Sequence, residues 1–432
     1  MENSIDISEW GTFKDSLKAP VYGWFTYPAG FSYKAVEHCF DEFNLYKGST
    51  IYDPFMGSGT TNLAAKTKGF NSYGVEAHPF VFQIAKSKMN WDIRRNDVVR
   101  ELNGIIKLVR SDTLSSEERN EVVESSFPEL VVKCFLPDTL YVLKLIRDYN
   151  SNISNIDVRS FLNTGLICCL RKVSIAATGW PYIAPSKIKI TSFSKKGLET
   201  FTDFIYKMLS DIDIIKRTSD KTQTNHNIIL GDSRETTASI PDECADLIFT
   251  SPPYLNNFDY ADRTRLEMYF MGDATCWNDI NHLVREKLIT STTTQISRNS
   301  EKYVFPDSFI HDNPNEYRML SDSIAMLNKL RGEHAGKKNY DLLVAGYFQD
   351  IYQVLKDCYR VLRSKSKAVF IVGDSAPYGV YIPTDELIGG IGCNVGFNGY
   401  KKSILRERGT KWKNNPQRHH HCLRESVITL TK

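Results

Sequence analysis

The sequence lacks the features that mark secreted, membrane-spanning and disulfide-stabilised proteins. No apolar run approaches the ~18 residues that a membrane-spanning helix needs. The first residues carry neither a basic start nor an apolar stretch, so no secretory signal is expected. The nine cysteines are odd in number and show no Cys-x-x-Cys spacing, which disfavours a disulfide framework and a structural zinc. These absences predict a cytoplasmic protein with no membrane partner.

An excess of charge of either sign is also missing. The formal net charge is +3, so a surface for nucleic acid must come from local clusters of basic residues rather than from overall balance. Apolar residues make up 41% of the 432 residues, which is enough for a large core in a chain longer than one compact unit usually is. We therefore expect one main domain that carries sizeable insertions.

Strand and helix patterns alternate along much of the chain. This alternation predicts an α/β fold with a doubly wound, mostly parallel sheet, whose ligands bind beyond the carboxyl ends of the strands. Helical patterns lie between most of the seven strand patterns, which fall near residues 50–53, 72–76, 227–231, 246–250, 367–373, 400–405 and 426–431.

Two stretches between strand patterns are too long to be plain loops. Residues 91–226 are mainly helical in pattern, and residues 255–340 are rich in Asn, Ser, Thr and charge. We expect the first stretch to be a large helical insertion and the second to be a smaller one. The main domain then consists of residues 1–90, 227–254 and 341–432.

A glycine turn follows the first strand pattern, in the run Asp53-Pro54-Phe55-Met56-Gly57-Ser58-Gly59-Thr60-Thr61. Gly57 and Gly59 permit a tight turn and the close approach of a ligand. Thr60 offers a hydroxyl at the start of a helix, where free backbone N–H groups favour an anionic group such as a carboxylate. A lone turn of this kind is more often purely structural, so the neighbouring strand ends decide its interpretation.

Two further strand ends carry acids that suit a nucleoside. Glu76 lies where a doubly wound sheet places the carboxylate that accepts hydrogen bonds from ribose hydroxyls. Asp232, followed by Ser233, suits an adenine amino group. A triphosphate site is disfavoured because no Lys precedes the threonine pair of the turn, and a nicotinamide site usually has a longer glycine series.

A second motif, Thr250-Ser251-Pro252-Pro253-Tyr254, ends another strand pattern and is expected at the same edge of the sheet. The side-chain oxygen of Ser251 and the carbonyl of Pro252 are acceptors for the two hydrogens of an amine. Two consecutive prolines hold these acceptors rigid, and Tyr254 offers a ring on which an extruded base can stack. In isolation the motif is a rigid turn; beside a donor site we interpret it as a base site.

Together these motifs resemble those of the DNA amino-methyltransferases, which move a methyl group from S-adenosylmethionine to an exocyclic amine of cytosine or adenine. The similarity extends to Trp24-Phe25-Thr26-Tyr27-Pro28-Ala29-Gly30-Phe31 and to residues 372–375 and 423–427, but not to the two insertions. It implies a Rossmann-like methyltransferase fold, S-adenosyl-L-methionine as cofactor, double-stranded DNA as partner and a cognate restriction endonuclease as a further candidate partner. Residues 1–90 then form the donor-binding half of the catalytic domain.

The resemblance also assigns site residues. The implied catalytic residues are Ser251, Pro252, Pro253 and Tyr254. The implied donor contacts are Tyr27, Phe31, Asp53, Phe55, Gly57, Gly59, Thr60, Glu76, Asp232 and Ser233.

Two features of the sequence bear on which base is methylated: a missing Pro-Cys pair and the Ser that begins the tetrapeptide. Methylation of cytosine at ring carbon needs a Cys directly after Pro, and no Pro-Cys pair exists here. Ser as the first residue of the tetrapeptide is typical of cytosine-N4 enzymes in this family, whereas Asp or Asn is typical of adenine-N6 enzymes. The resemblance therefore favours a sequence-specific cytosine-N4 methyltransferase of a restriction-modification system. The alternatives are an adenine-N6 enzyme, then an RNA methyltransferase, then a non-catalytic regulator that binds S-adenosylmethionine.

Basic residues cluster in two places that suit phosphate contacts. Solvated helix-surface or hairpin charges are the alternative in both. Residues 419–421 are three histidines without an acidic or thiol partner at ligand spacing, so no metal site is expected. Either insertion is a candidate for reading the DNA sequence, and residues 91–226 are alternatively a lid. The oligomeric state, monomer or dimer, is left undecided by the sequence. The candidate nucleic-acid contacts are Arg263, Arg265, Lys401, Lys402, Arg406, Arg408, Lys411 and Arg418.

Overall fold

A seven-stranded mixed sheet forms the centre of the molecule. The structure is a computed structural model that describes residues 7–27, 30–178, 182–188, 196–235, 238–298, 301–333, 338–408 and 421–432. The described strands are β1 (Thr50–Asp53), β2 (Asn71–Glu76), β3 (Ala176–Thr178), β4 (Ile183–Ile188), β5 (His226–Leu230), β6 (Ala245–Thr250), β7 (Leu362–Gly373), β8 (Gly399–Arg408) and β9 (Leu423–Thr431). Each of the seven predicted strands has a counterpart in the sheet.

The sheet is doubly wound, in the order β5-β2-β1-β6-β7-β9-β8. The strands from β5 to β7 pair in parallel, and β9 runs antiparallel to both of its neighbours. From β1 the chain moves outward through β2 to β5, then returns to the other side of β1 with β6 and β7. The predicted α/β fold is confirmed, and the winding reverses between β1 and β6, where doubly wound sheets bind ligands.

Helices accompany the strands along the chain. The described α-helices are α1 (Lys14–Lys18), α2 (Tyr33–Glu42), α3 (Thr60–Lys68), α4 (Pro79–Met89), α5 (Arg95–Arg110), α6 (Ser116–Ser126), α7 (Glu129–Val132), α8 (Pro137–Ser151), α9 (Ile156–Val173), α10 (Gly197–Thr218), α11 (Tyr260–Arg263), α12 (Arg265–Met271), α13 (Trp277–Ile280), α14 (Asp307–Asp312), α15 (Pro314–Arg331), α16 (Tyr340–Val361) and α17 (Thr384–Val395). Short 3-10 turns lie at Ile7–Glu9, Tyr22–Trp24, Thr293–Gln295, Glu301–Tyr303 and Pro377–Gly379, and a π turn at Asn281–Arg285.

Alternating side chains of the strands fill a core on each face of the sheet. Ile51 of β1 and Phe249 of β6 pack with α2 and α3 on one face. Their neighbours Tyr52 and Ile248 pack with α16 and α17 on the other. This period of two is what a sheet covered on both sides requires, and it holds the strand ends at fixed positions.

The long stretches between strands form structure of their own. Residues 91–226 hold α5 to α10 and the β3–β4 hairpin, and their apolar residues share one core with α4. On α5 the buried side chains Val98, Leu102 and Ile105 recur at helical spacing. Residues 255–340 hold α11 to α15. The recognition or lid roles of these stretches stay predictions.

No helix among the described residues combines the length and the apolar character that a bilayer crossing demands. No group of three or more His, Cys, Asp or Glu side chains within the same residues is arranged to hold a metal ion.

Candidate active site

A cleft opens at the carboxyl ends of β1, β2, β5 and β6, where the winding reverses. The space within it, counted together with the open solvent at its mouth, is about 770 Å³. Both sequence motifs, the N-terminal segment and the second insertion contribute to its walls. The lining residues are Phe13, Tyr27, Gly30, Phe31, Pro54, Phe55, Met56, Gly57, Ser58, Thr60, Val75, Glu76, Ala77, Asp232, Ser233, Ser251, Pro253, Tyr260, Lys287, Leu288 and Ile289.

The glycine turn takes a backbone form that only glycine adopts readily. Gly57 and Gly59 have φ of 53° and 88°, both in the left-handed region. Gly59 also lies against α4, since a Cβ added there would stand 3.4 Å from the Cβ of Ala85. The turn thereby brings Gly57, Ser58 and Thr60 to the cleft at the N-terminus of α3.

Glu76 lines the cleft and is almost fully buried. Its Oε2 accepts a hydrogen bond from the Gly57 N–H at 2.8 Å, and its Oε1 accepts one from the His78 N–H at 2.7 Å. Burial raises the pKa of this carboxyl to about 7 although both bonds oppose the rise. Glu76 therefore ties β2 to the glycine turn and presents a carboxyl group at the cleft.

Asp53 lies beneath the cleft rather than in its wall, with no exposed surface. Its Oδ1 accepts hydrogen bonds from the Phe55 N–H at 3.0 Å and from the Thr250 hydroxyl at 2.6 Å. Burial raises its pKa to about 6. Since Thr250 directly precedes the Ser-Pro-Pro-Tyr tetrapeptide, this carboxyl links the two motifs across β1 and β6.

Asp232 lines the cleft but already has a partner. Its carboxylate accepts hydrogen bonds from Arg234 Nε at 2.9 Å. Arg234 Nη2 also donates to the carbonyls of Glu286 and Lys287, each at 3.3 Å. This arginine joins the end of β5 to the second insertion, which supplies Lys287, Leu288 and Ile289 to the cleft wall. The adjacent Ser233 hydroxyl donates to the Pro54 carbonyl.

The tetrapeptide is divided between the cleft and the interior. Ser251 and Pro253 line the cleft, whereas Pro252 and Tyr254 are buried outside it. The Ser251 hydroxyl donates to the Ile371 carbonyl of β7 at 3.1 Å. A hydroxyl that donates its one hydrogen keeps oxygen lone pairs for an amine.

The Tyr254 ring is turned into the fold and is 3% exposed. Its hydroxyl donates to Glu425 Oε1 at 2.9 Å. The Arg408 guanidinium lies 5.1 Å from the ring centroid. The ring that we expected to receive a base is thus held by β8 and β9 in this structure.

Aromatic side chains close the cleft on the side of the N-terminal segment. The rings of Tyr27 and Tyr260 lie with centroids 5.6 Å apart, and both residues line the cleft. Phe31 packs against Phe249 of β6 at 5.2 Å. Tyr260 begins α11, a few residues after the tetrapeptide. The sequence motifs gave no signal that it lines the cleft. Phe13 and the wall at 287–289 were missed for the same reason.

The two arginines after the tetrapeptide are engaged in ion pairs. Arg263 is only 4% exposed, pairs with Glu267 at 3.0 Å and donates to the Thr26 carbonyl at 3.0 Å. Arg265 pairs with Asp262 at 3.1 Å and lies over the Trp277 ring. Arg263 is therefore not presented at the surface, and its predicted phosphate contact has no support in this geometry.

The described part of the basic stretch 401–421 is largely charge-balanced. Lys402 pairs with Glu386 at 2.8 Å, and Arg406 pairs with Glu425 at 2.6 Å. Arg408 lies over Tyr254, and Lys401 is exposed. Lys411, Arg418, His419 and His420 lie outside the described residues.

The chain is similar to known DNA methyltransferases. The DNA methylase family model, which covers N6 and N4 types, matches residues 9–87. The type II methyltransferase M.BsoBI of Geobacillus stearothermophilus is 26% identical over 92% of this chain and 82% of its own length. M.AvaI of Anabaena variabilis, also a type II methyltransferase, is 25% identical over 91% of this chain and 82% of its own. The type II methyltransferase M.MvaI of Kocuria varians is 22% identical over 78% of this chain and 73% of its own.

Proposed function

We propose that this chain is a sequence-specific type II DNA methyltransferase, since it matches the DNA methylase family model over residues 9–87 and is similar to type II methyltransferases over most of its length. The proposed reaction moves a methyl group from S-adenosyl-L-methionine to an exocyclic amine of a base, N4 of cytosine. One observation carries the proposal: the glycine turn and Ser251 line the same cleft at adjacent strand ends.

The donor side of the cleft fits S-adenosylmethionine in its polar groups. Free N–H groups at the start of α3 suit the carboxylate of the methionine part. Glu76 suits the ribose hydroxyls, and Asp232 suits the adenine amine. The rings of Tyr27 and Phe31 suit a sulfonium, since aromatic faces attract cations. When bound, the donor would supply an electrophilic methyl group.

The base side supplies acceptors for an amine. The lone pair of an exocyclic amine is delocalised into the ring, so the enzyme must localise it on the nitrogen before attack. Ser251 Oγ, whose hydrogen is directed to Ile371, and the Pro252 carbonyl are proposed to accept the two amine hydrogens. The nitrogen would then bond to the methyl carbon as the carbon–sulfur bond breaks, which leaves the donor as a neutral thioether, and the amine proton would pass to solvent. The choice of cytosine rests on Ser at position 251.

The target base lies inside duplex DNA and must be extruded to reach the cleft. We propose that it stacks on Tyr254 after the ring has left its contacts with Arg408 and Glu425. We further propose that residues 91–226 and 255–340 contact the DNA, and that a cognate restriction endonuclease acts on the same sequence.

Transfer of tritiated methyl from labelled S-adenosylmethionine to duplex DNA of diverse sequence tests the proposal. The expected result is incorporation that yields N4-methylcytosine on nucleoside analysis, and its loss in Ser251→Ala. Labelled N6-methyladenine would overturn the choice of base. Stronger labelling of tRNA than of DNA would overturn the choice of nucleic acid, and donor binding without transfer to either would indicate a regulator.

A further inference from the structure

A lysine ammonium is buried directly behind the glycine turn. Lys88 lies in the last turn of α4, and its side chain is 1% exposed. Its Nζ donates to the carbonyls of Tyr22 and Phe25 at 3.1 and 3.4 Å, and to Ser58 Oγ at 3.2 Å. All three donors of the ammonium are thus used, and no carboxylate among the described residues pairs with it.

A buried ammonium without a counterion is costly to the folded state. Burial lowers the pKa of Lys88 to about 7, in the direction that this cost requires. A neutral side chain of similar length would fill the space without that cost. Packing alone therefore does not explain why a lysine occupies this position. Its hydrogen bond to Ser58, a residue of the cleft wall, indicates a function.

Ser58 connects Lys88 to the cleft. It stands between the two positive-φ glycines, directly before the N-terminus of α3, and it lines the cleft. Because Ser58 Oγ accepts from Lys88, the hydroxyl hydrogen is available for an acceptor in the cleft. The other two acceptors, Tyr22 and Phe25, belong to the segment that leads to Tyr27 in the aromatic wall.

We propose that Lys88 is a positioning residue for the carboxylate end of the methyl donor. Its ammonium, which is fixed by the carbonyls of Tyr22 and Phe25, orients Ser58 to donate to that carboxylate. Its charge also lies in a low-dielectric interior, where it attracts an anion at the start of α3 more strongly than an exposed lysine does. This inference rests on the proposed donor and adds the residue that reads its carboxylate.

The test compares two ligands that differ in one group, S-adenosylmethionine and its decarboxylated form. Lys88→Met is expected to weaken binding of S-adenosylmethionine about tenfold, the scale of one hydrogen bond to a charged group. It is expected to leave the affinity for the decarboxylated ligand unchanged. Ser58→Ala is expected to show the same selective loss. Lys86→Met, an exposed lysine on the same helix, is the matched control and is expected to change neither affinity.

Calorimetric titration of each ligand gives the dissociation constants, and thermal unfolding of the ligand-free proteins gives their stability. Lys88→Met removes a buried charge but leaves the Tyr22 and Phe25 carbonyls and Ser58 Oγ without their donor, so its unfolding temperature serves to check that the variant is folded. Equal weakening of both ligands, or no weakening of either, would overturn the inference. If Lys88→Met does not fold, Ser58→Ala decides the same question. Failure of the wild type to bind S-adenosylmethionine would instead overturn the proposed function.

Discussion

The two sides of the cleft differ in how far they are formed in the free chain. On the proposed donor wall, defined as Gly57, Ser58, Thr60, Glu76 and Asp232, every residue lines the cleft. On the base wall, defined as Ser251 to Tyr254, the two prolines are divided between surface and interior and the Tyr254 ring is turned inward. The residues of the proposed donor wall are already in place around the cleft, whereas the proposed base wall is closed around the protein's own side chains.

The difference follows from what holds each wall. The Gly57 and His78 N–H groups donate to the Glu76 carboxylate, and these bonds fix the glycine turn to the sheet without any ligand. Tyr254 is held by two contacts from β8 and β9, a hydrogen bond from its hydroxyl to Glu425 and the Arg408 guanidinium over its ring. Small-molecule sites are usually preformed, but a base reaches its pocket only after leaving the duplex. We therefore expect changes on one wall to leave ligand binding at the other wall unaltered.

Glu76→Gln is the strongest test of the donor wall. The amide keeps the size of the side chain, but its NH₂ must face either the Gly57 or the His78 N–H group, and it accepts ribose hydroxyls poorly. We expect the dissociation constant of S-adenosylmethionine to rise about 100-fold, the loss of two hydrogen bonds to a charged group. Calorimetric titration measures it, and gel-shift binding of donor-free protein to DNA should be unchanged. A rise below about threefold would show that Glu76 serves the turn and not the ligand.

Tyr254→Ala tests the base wall in the same way. Stacking on an aromatic ring contributes about 1–3 kcal/mol per base, so we expect kcat to fall about 30-fold while donor affinity stays unchanged. Tyr254→Phe keeps the ring and loses only the bond to Glu425, so its kcat is expected to fall about threefold or less. Single-turnover methylation assays measure both. Equal losses in the two variants would place the role of Tyr254 in its hydroxyl rather than in its ring.

The same contrast explains what could be predicted from sequence. Strands are local patterns, so all seven were placed. Gly57, Glu76 and Asp232, which the sequence places at the ends of β1, β2 and β5, line the same cleft, and their contacts with a donor stay predictions. Which wall is closed depends on partners far apart in the chain. Tyr254 and Glu425 are 171 positions apart, and no pattern near Tyr254 indicates that bond.

The basic residues show the same limit with one local exception. Arg263 has an acid four residues on, Glu267, and that helical spacing is a readable signal for the ion pair that buries it. Arg234, by contrast, joins β5 to residues 286–287 through backbone carbonyls that carry no side-chain pattern. The part of the cleft wall supplied by the second insertion was therefore not predictable.

The pH dependence of stability distinguishes the donor wall, which carries the titrating Glu76, from the base wall. Burial raises the pKa of Glu76 to about 7 from its ordinary value, so between about pH 4.5 and 7 the folded state binds a proton that the unfolded state has lost. The contribution of Glu76 to the free energy of unfolding therefore falls as pH rises through that window. The fall corresponds to a factor of up to about ten in the folding equilibrium constant for each pH unit.

Urea unfolding at several pH values checks this sign. Glu76→Gln should lose that part of the slope, so its stability relative to wild type should grow as pH rises. Asp53, whose pKa burial raises to about 6, acts in the same direction and is present in both proteins. Tyr254→Phe should keep the wild-type slope, because the base wall does not contribute to it. Parallel slopes for wild type and Glu76→Gln would show that Glu76 is ionised in both states.

Arg408→Ala gives the smallest expected effect and tests whether the base wall opens by itself. The guanidinium over the Tyr254 ring is a contact of about 1 kcal/mol, and its removal leaves the Glu425 bond in place. We expect nitration of Tyr254, followed by peptide mass spectrometry, to proceed about threefold to fivefold faster than in wild type. Donor affinity should be unchanged. Lys402→Ala, on the same strand but paired with Glu386, is the control and should leave the rate unaltered. An unchanged rate in Arg408→Ala would mean that Glu425 alone closes the wall, and a change in donor affinity would mean that the two walls are coupled.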